Sequence, residues 1–238
     1  MATLLSIAQN ALYEMSGFEV PNSFYGNGNL TARQCLKLVE REGKTLSREH
    51  HWAELISEHT FLTVDGTATY AKPSNFQSFA NMTMWDRTNA WRIMGPTPPL
   101  VYQWLKSGIT VASDAEAWYM VRGSTITIYP TPSSERTIAF DYYSNGWITK
   151  QSDSTYVSEF TSDNDTVRLD GDLLTLGLKW RFLQAKGMPY EPEYKEYCAI
   201  KDALLADNGS KPIINLGIGN RGFSLDGNIP DTGFGSSS

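Results

Sequence analysis

The spacing of apolar residues changes period twice along the chain. Leu4, Leu5, Ala8, Ala11 and Leu12 recur at three- and four-residue intervals, which predicts an amphipathic helix over the first dozen residues. Gly17 stops it, and residues 23–29 form a polar turn rich in Gly and Asn. Thr31-Ala32-Arg33-Gln34 reads as a capping box, the Thr hydroxyl accepting the third amide while the Gln reaches back. Behind it, Cys35, Leu36, Leu38 and Val39 carry a second helix to about Glu42. A short third helix is predicted over residues 47–55, with Trp52 and Leu55 inward.

From residue 61 the period shortens to two. Phe61-Leu62-Thr63-Val64, the turn Asp65-Gly66 and Thr67-Ala68-Thr69-Tyr70 predict a hairpin, ended by Pro73. Gly95-Pro96 and Pro98-Pro99 break the chain, and residues 100–106 predict a short helix begun by proline. Residues 117–121 and 124–129, joined by Arg122-Gly123, predict a second hairpin. Residues 137–143 alternate strongly as a further strand. Residues 144–166 are rich in Ser, Asp and Thr and predict a long loop or loose hairpin, with Val167-Arg168-Leu169 a last strand.

Helical spacing then returns. Asp170 or Asp172 caps a helix that runs to Lys186 and carries Leu173, Leu174, Leu176, Trp180, Phe182 and Leu183. Residues 191–206 form another, with Tyr194, Tyr197, Cys198 and Leu204 or Leu205 on one face. Neither period is carried into residues 207–238, which hold seven of the nineteen glycines. The order predicts an α+β fold. Residues 1–56 and 170–206 build a helical bundle, 57–169 an inserted antiparallel β-rich region, and 207–238 an extended C-terminal arm.

Composition narrows the function classes. The 238 residues carry a net charge of -6, with 19% charged and 12% aromatic side chains. The usual charged share is about 25%. Abundant aromatics and sparse charge exclude disorder throughout. An acidic balance argues against a binder driven by phosphate contacts. No run of about 20 apolar residues is present to cross a membrane. Cys35 and Cys198 have no CxxC spacing and sit in apolar helical patterns, so both are expected as core residues. The opening residues show no basic n-region and no long apolar stretch, so no secretory signal is predicted and a reducing cytoplasm is expected.

Candidate chemistry is sparse. Gly217-Ile218-Gly219-Asn220-Arg221-Gly222 matches GxGxxG, but only sixteen residues follow, too few for the required helix and acidic residue. Adjacent His50 and His51, with His59 eight further on, lack the i, i+3 or i+4 spacing of helical metal ligands. The pairs Asp153/Glu159 and Asp163/Asp165 fall in a polar loop, where carboxylates are usually solvated. Trp85, Trp91, Trp104, Trp118 and Trp147 cluster centrally, as core packing or as subunit contacts. No catalytic, cofactor or metal residue is predicted.

Several ordered runs resemble a known family. Thr69-Tyr70-Ala71-Lys72-Pro73-Ser74-Asn75-Phe76 is followed by Trp85-Asp86-Arg87-Thr88, Gly95-Pro96 and Tyr102-Gln103-Trp104-Leu105-Lys106-Ser107-Gly108. Ile128-Tyr129-Pro130-Thr131-Pro132 then leads to the run from Ile138 to Trp147. Together they resemble the head–tail adaptors, or connectors, of tailed bacteriophages, and are similar to the tail tubular protein A of short-tailed phages. The resemblance covers roughly residues 5–206.

The resemblance implies a structural, non-enzymatic virion protein of the neck, assembled in the host cytoplasm. It implies a ring of twelve copies, with the portal above, the tail nozzle or tail tube below, and double-stranded DNA passing through without specific binding. The arm, about 105 Å long if fully extended, is expected to dock on the portal. Its docking residues are expected to be Lys211, Ile213, Ile214, Leu216, Ile218, Arg221, Phe223, Leu225, Ile229 and Phe234. The competing expectations are a carboxylate-dependent hydrolase of cell-wall glycans and a glycan-binding tail module.

Overall fold

The computed structural model describes residues 2–15, 17–80, 82–108 and 116–208. In chain order the elements are α1 (Leu4–Glu14), α2 (Leu30–Glu49), a 3-10 turn (Ala53–Leu55), β1 (Ile56–Leu62), β2 (Thr69–Ala71), β3 (Phe76–Phe79), β4 (Trp85–Asp86), β5 (Trp91–Arg92), α3 (Pro99–Lys106), β6 (Trp118–Arg122), β7 (Thr125–Tyr129), β8 (Thr137–Ser144), β9 (Ile148–Thr149), β10 (Tyr156–Val157), β11 (Thr166–Val167), α4 (Gly171–Ala185) and α5 (Glu191–Asp207). The fold is α+β, as the sequence predicts.

Local chemistry sets the helix ends. Thr3 and Ser6 form a reciprocal capping box at α1. At α2 the cap is Asn29, whose side chain accepts the Thr31 amide at 2.8 Å, so the capping box expected at Thr31–Gln34 does not form. Asp170 caps α4 by accepting the Leu173 amide at 2.7 Å. α2 runs unbroken to Glu49 where two helices were expected. Gly43 lies inside this helix, and the Trp147 indole fills the space beside it, leaving no room for a side chain.

α4 is buried on several sides and packs against α1, α2 and α5. Leu4, Ile7, Leu12, Val39, Leu174 and Phe182 lie in this shared core. Each such side chain contributes about 1.5–3 kcal/mol by leaving water. Trp147, Ile148, Phe160, Val167 and Leu169 belong to the same core. They come from a segment expected to be mostly loop, which instead folds as the small sheet β10-β9-β11. That sheet is laced to the start of the chain: Val167 donates its amide to the Ala2 carbonyl at 2.9 Å, and Leu4 donates to the Asp165 carbonyl at 3.2 Å.

A second core holds Met84, Ile93, Tyr119, Ile126, Ile128 and Phe140 between two antiparallel sheets. In the larger, β1 pairs along its whole length with β8, Ile56 opposite Tyr143 and Leu62 opposite Thr137. β3 and β4 also pair with β8, and β5 continues from β4. The smaller sheet is β2-β7-β6, and its β6–β7 hairpin forms as predicted. The hairpin expected at residues 61–70 does not form as a ladder. Its turn closes, with the Thr67 amide on the Val64 carbonyl, but the two flanks enter different sheets. The Thr63 amide bonds the Arg136 carbonyl and holds that flank to the β8 side, while β2 pairs β7.

Candidate functional site

The two cores meet at the start of β1, and two side chains stitch them together. Arg168 donates to the Ile56 carbonyl at 3.1 Å and the Gly146 carbonyl at 3.2 Å, and its guanidinium lies over the Tyr156 ring. Asn208, at the end of α5, accepts the Ala53 amide at 3.0 Å and donates to Glu54 at 2.7 Å. The end of α5 is thereby held beside the 3-10 turn that precedes β1. The predicted docking residues between 211 and 234, and the GxGxxG match at 217–222, lie outside the described residues.

The loop carboxylates are held by structural bonds. Asp165 is buried and accepts the Gln151, Thr161 and Ser162 amides. Burial works to raise its pKa, but those amides and the Thr161 hydroxyl outweigh it and hold the carboxyl below its ordinary value. Asp163 accepts the Phe24 and Tyr25 amides at 2.9 and 2.8 Å. Asp153 accepts from Thr155, and Glu159 pairs with Lys44 at 2.6 Å. Each histidine meets different aromatic rings: His51 stacks on Tyr143, His50 meets the edge of Trp52, and His59 packs against Phe61 and Phe140. Burial lowers the His59 pKa. Among the described residues no three metal-ligating side chains converge.

The exposed surface is richer. Of the central tryptophans, Trp147 is core, whereas Trp91 and Trp104 are exposed, with Arg136 over the Trp91 ring. Leu62 and Val64 beside β1, and Leu100 on α3, are also exposed. A groove of about 610 Å³ lies on the larger sheet, floored by Trp85, Ala139 and Phe140 and edged by Glu58, Arg87 and Asp141. Glu58 and Asp141 face each other across β1 and β8, and Arg87 pairs with Glu58.

The helical side carries a charged face. Arg33, Lys37, Arg41, Lys44 and Arg48 follow one another along α2 at intervals of four, four, three and four residues. At 100° per residue they fall within about 80° of arc and span about 22 Å. Two grooves run beside them, of about 700 and 730 Å³. Lys37 is neutralised by Glu40 and Lys44 by Glu159. Arg33, Arg41 and Arg48 make no ion pair among the described residues.

An arrangement of surfaces without a reactive cluster suits a protein that joins others. The profile of the SU10 adaptor protein family matches residues 3–207, nearly the whole chain. The chain belongs to the SU10 adaptor protein family. It is a phage structural adaptor and hence a virion component, in line with the resemblance read from the aromatic and proline runs. The match spans both cores of the adaptor and stops where α5 ends. No curated protein matches the chain.

The cation row on α2 went unnoticed in the sequence for a definable reason. A helix ended at Glu42 contains only its first three members. Extended to Glu49, the same residues line up on one face.

Proposed function

We propose that this adaptor assembles as a ring between the portal and the tail nozzle or tail tube of a tailed phage, at the neck of the virion. Double-stranded DNA passes through the lumen. Twelve copies is the number that the resemblance of the aromatic and proline runs to head–tail adaptors implies. The observation that carries the reading is the family match over residues 3–207, which takes in the helical core, the β region and the junction between them. Residues 1–56 and 170–206 form the body, 57–169 the insertion that faces the tail, whose last part from Trp147 packs into the core of the body, and 207–238 an arm that docks on the portal.

Two features support the assignment. Asn208, at the start of the proposed arm, is held by the Ala53 amide and by Glu54. The acidic balance of the chain, -6, suits a channel along which DNA slides, since a uniformly basic wall would hold phosphates. The glycan-hydrolase and glycan-binding readings gain no support. The loop carboxylates that a hydrolase would use are engaged by backbone amides, by a neighbouring hydroxyl or by Lys44.

Light scattering and electron microscopy of the chain alone and with its portal protein test the proposal. The expected result is a ring of defined copy number on the portal; a chain that stays monomeric and unbound overturns it. Deleting residues 209–238 keeps α5 and the Asn208 contacts. The shortened chain is expected to fold and to lose portal binding, and undiminished binding overturns the role of the arm.

A further inference from the structure

The charged face of α2 has a counterpart on the same chain. The outer face of α5 exposes Ala199, Ala203 and Ala206. At helical spacing, exposed Glu191 and Asp202 flank this strip on one side and Glu196 and Asp207 on the other, with Lys195 the cation among them. Those four carboxylates make no ion pair among the described residues. α5 is about 24 Å long, close to the span of the α2 row. We propose that the basic face of α2 on one copy packs against the acidic, small-residue face of α5 on the next copy. This rests on the ring reading and names the surfaces that would build it.

The chemistry of both faces favours a second copy over a nucleic acid. The α2 grooves are not uniformly basic, because Glu40, Glu49 and Glu159 line one and exposed Leu30 and half-buried Leu38 the other. A phosphate backbone would be repelled by the carboxylates and would leave the leucines without apolar cover. A helix with an alanine ridge between two acidic margins satisfies both, giving the leucines a close neighbour and the arginines carboxylates. Because the two faces differ, the contact is head-to-tail, the kind that propagates from copy to copy, into a ring where the rotation closes, rather than stopping at a dimer.

Charge reversal tests the pairing. Arg41→Glu/Arg48→Glu reverses α2, and Glu196→Lys/Asp202→Lys reverses α5. All four positions are exposed, and circular dichroism and melting confirm that each variant folds. Assembly of the full chain with its portal protein is read by mass photometry. Each variant alone is expected to assemble about tenfold less well than wild type. An equimolar mixture is expected to recover assembly, because reversed α2 then meets reversed α5 and native α2 meets native α5.

Full assembly by the reversed α2 variant alone, or no recovery in the mixture, overturns the proposal. Unchanged assembly with loss of binding to a 30-base-pair duplex, about 100 Å long and so several times the length of the α2 row, would assign the row to nucleic acid instead. If wild type forms no ring, the ring reading falls. The contact is then read separately in a Cys198→Ser background by mixing Thr45→Cys chains with Ala199→Cys chains at high concentration. A mixed disulfide supports the contact, and its absence overturns it.

Discussion

The Glu42 carboxylate and the Tyr197 hydroxyl meet in the buried seam where α2, α4 and α5 converge, with the Tyr donating. Arg181 from α4 donates to the other carboxylate oxygen. Gly177 of α4 lets the seam close, since a Cβ there would stand 2.7 Å from Glu42 Cγ. Burial, and then the Glu42 charge, push the Tyr197 hydroxyl pKa far above its ordinary value, so it remains a donor. Glu42→Ala removes the acceptor for both partners and leaves a largely buried guanidinium unpaired. The expected loss is about 3–5 kcal/mol. Urea unfolding measures it, and a loss below about 1 kcal/mol would show the seam to be incidental.

Gly43 is expected to be intolerant of alanine. A methyl there would fall well inside contact distance of the Trp147 indole, which is fully buried and has no free end to swing away. Helix propensity alone favours the change by about 1 kcal/mol. Overpacking costs about 1–3 kcal/mol, and here it should win. Gly43→Ala is predicted to destabilise, and Gly43→Ala/Trp147→Leu to destabilise by less than the two changes summed. Additive losses would mean that the two residues do not press on each other.

This pair also marks the limit of what the sequence discloses. Locally dictated features were legible: the α1 stripe, the Asp170 cap, the β6–β7 hairpin and the alternation of β8 each arise from neighbours in the chain. Apart from the α2 cap, which Asn29 takes two residues earlier, the features that failed depend on partners far away. Gly43 looks like a helix end until Trp147, more than a hundred residues later, is placed beside it. Asp65-Gly66 looks like a hairpin turn until β1 and β2 find β8 and β7. The surfaces suffered in turn, because a truncated α2 hides the row from Arg33 to Arg48.

Cys35 should make the fold sensitive to alkali. Burial pushes its thiol from 9.0 up to about 12, with Lys186 opposing the shift. Above pH 9 the unfolded chain releases this proton while the folded chain keeps it, so stability falls as pH rises. The contribution is complete below pH 9 and gone by about pH 12. Cys35→Ala is expected to flatten the dependence of unfolding free energy on pH across that window by about 1.4 kcal/mol per pH unit. Parallel slopes for wild type and variant would show that the thiol titrates normally.

Asp165 should act at the acid end. Its carboxylate gathers three backbone amides and the Thr161 hydroxyl, and the Leu4 amide bonds its carbonyl, so it ties the β10-β9-β11 sheet to α1. Its folded pKa is lowered, so the stability it contributes is present above the ordinary carboxylate value and is lost as pH falls below it. Asp165→Asn keeps one acceptor oxygen but no charge. At pH 7 it is expected to cost about 2–3 kcal/mol, in the range for hydrogen bonds to a charged group. The gap to wild type should narrow as the pH drops below about 4, because wild type loses the charge there as well. Chemical unfolding between pH 7 and 3 reads both effects. A gap that stays constant would mean that Asp165 holds the loop by shape alone.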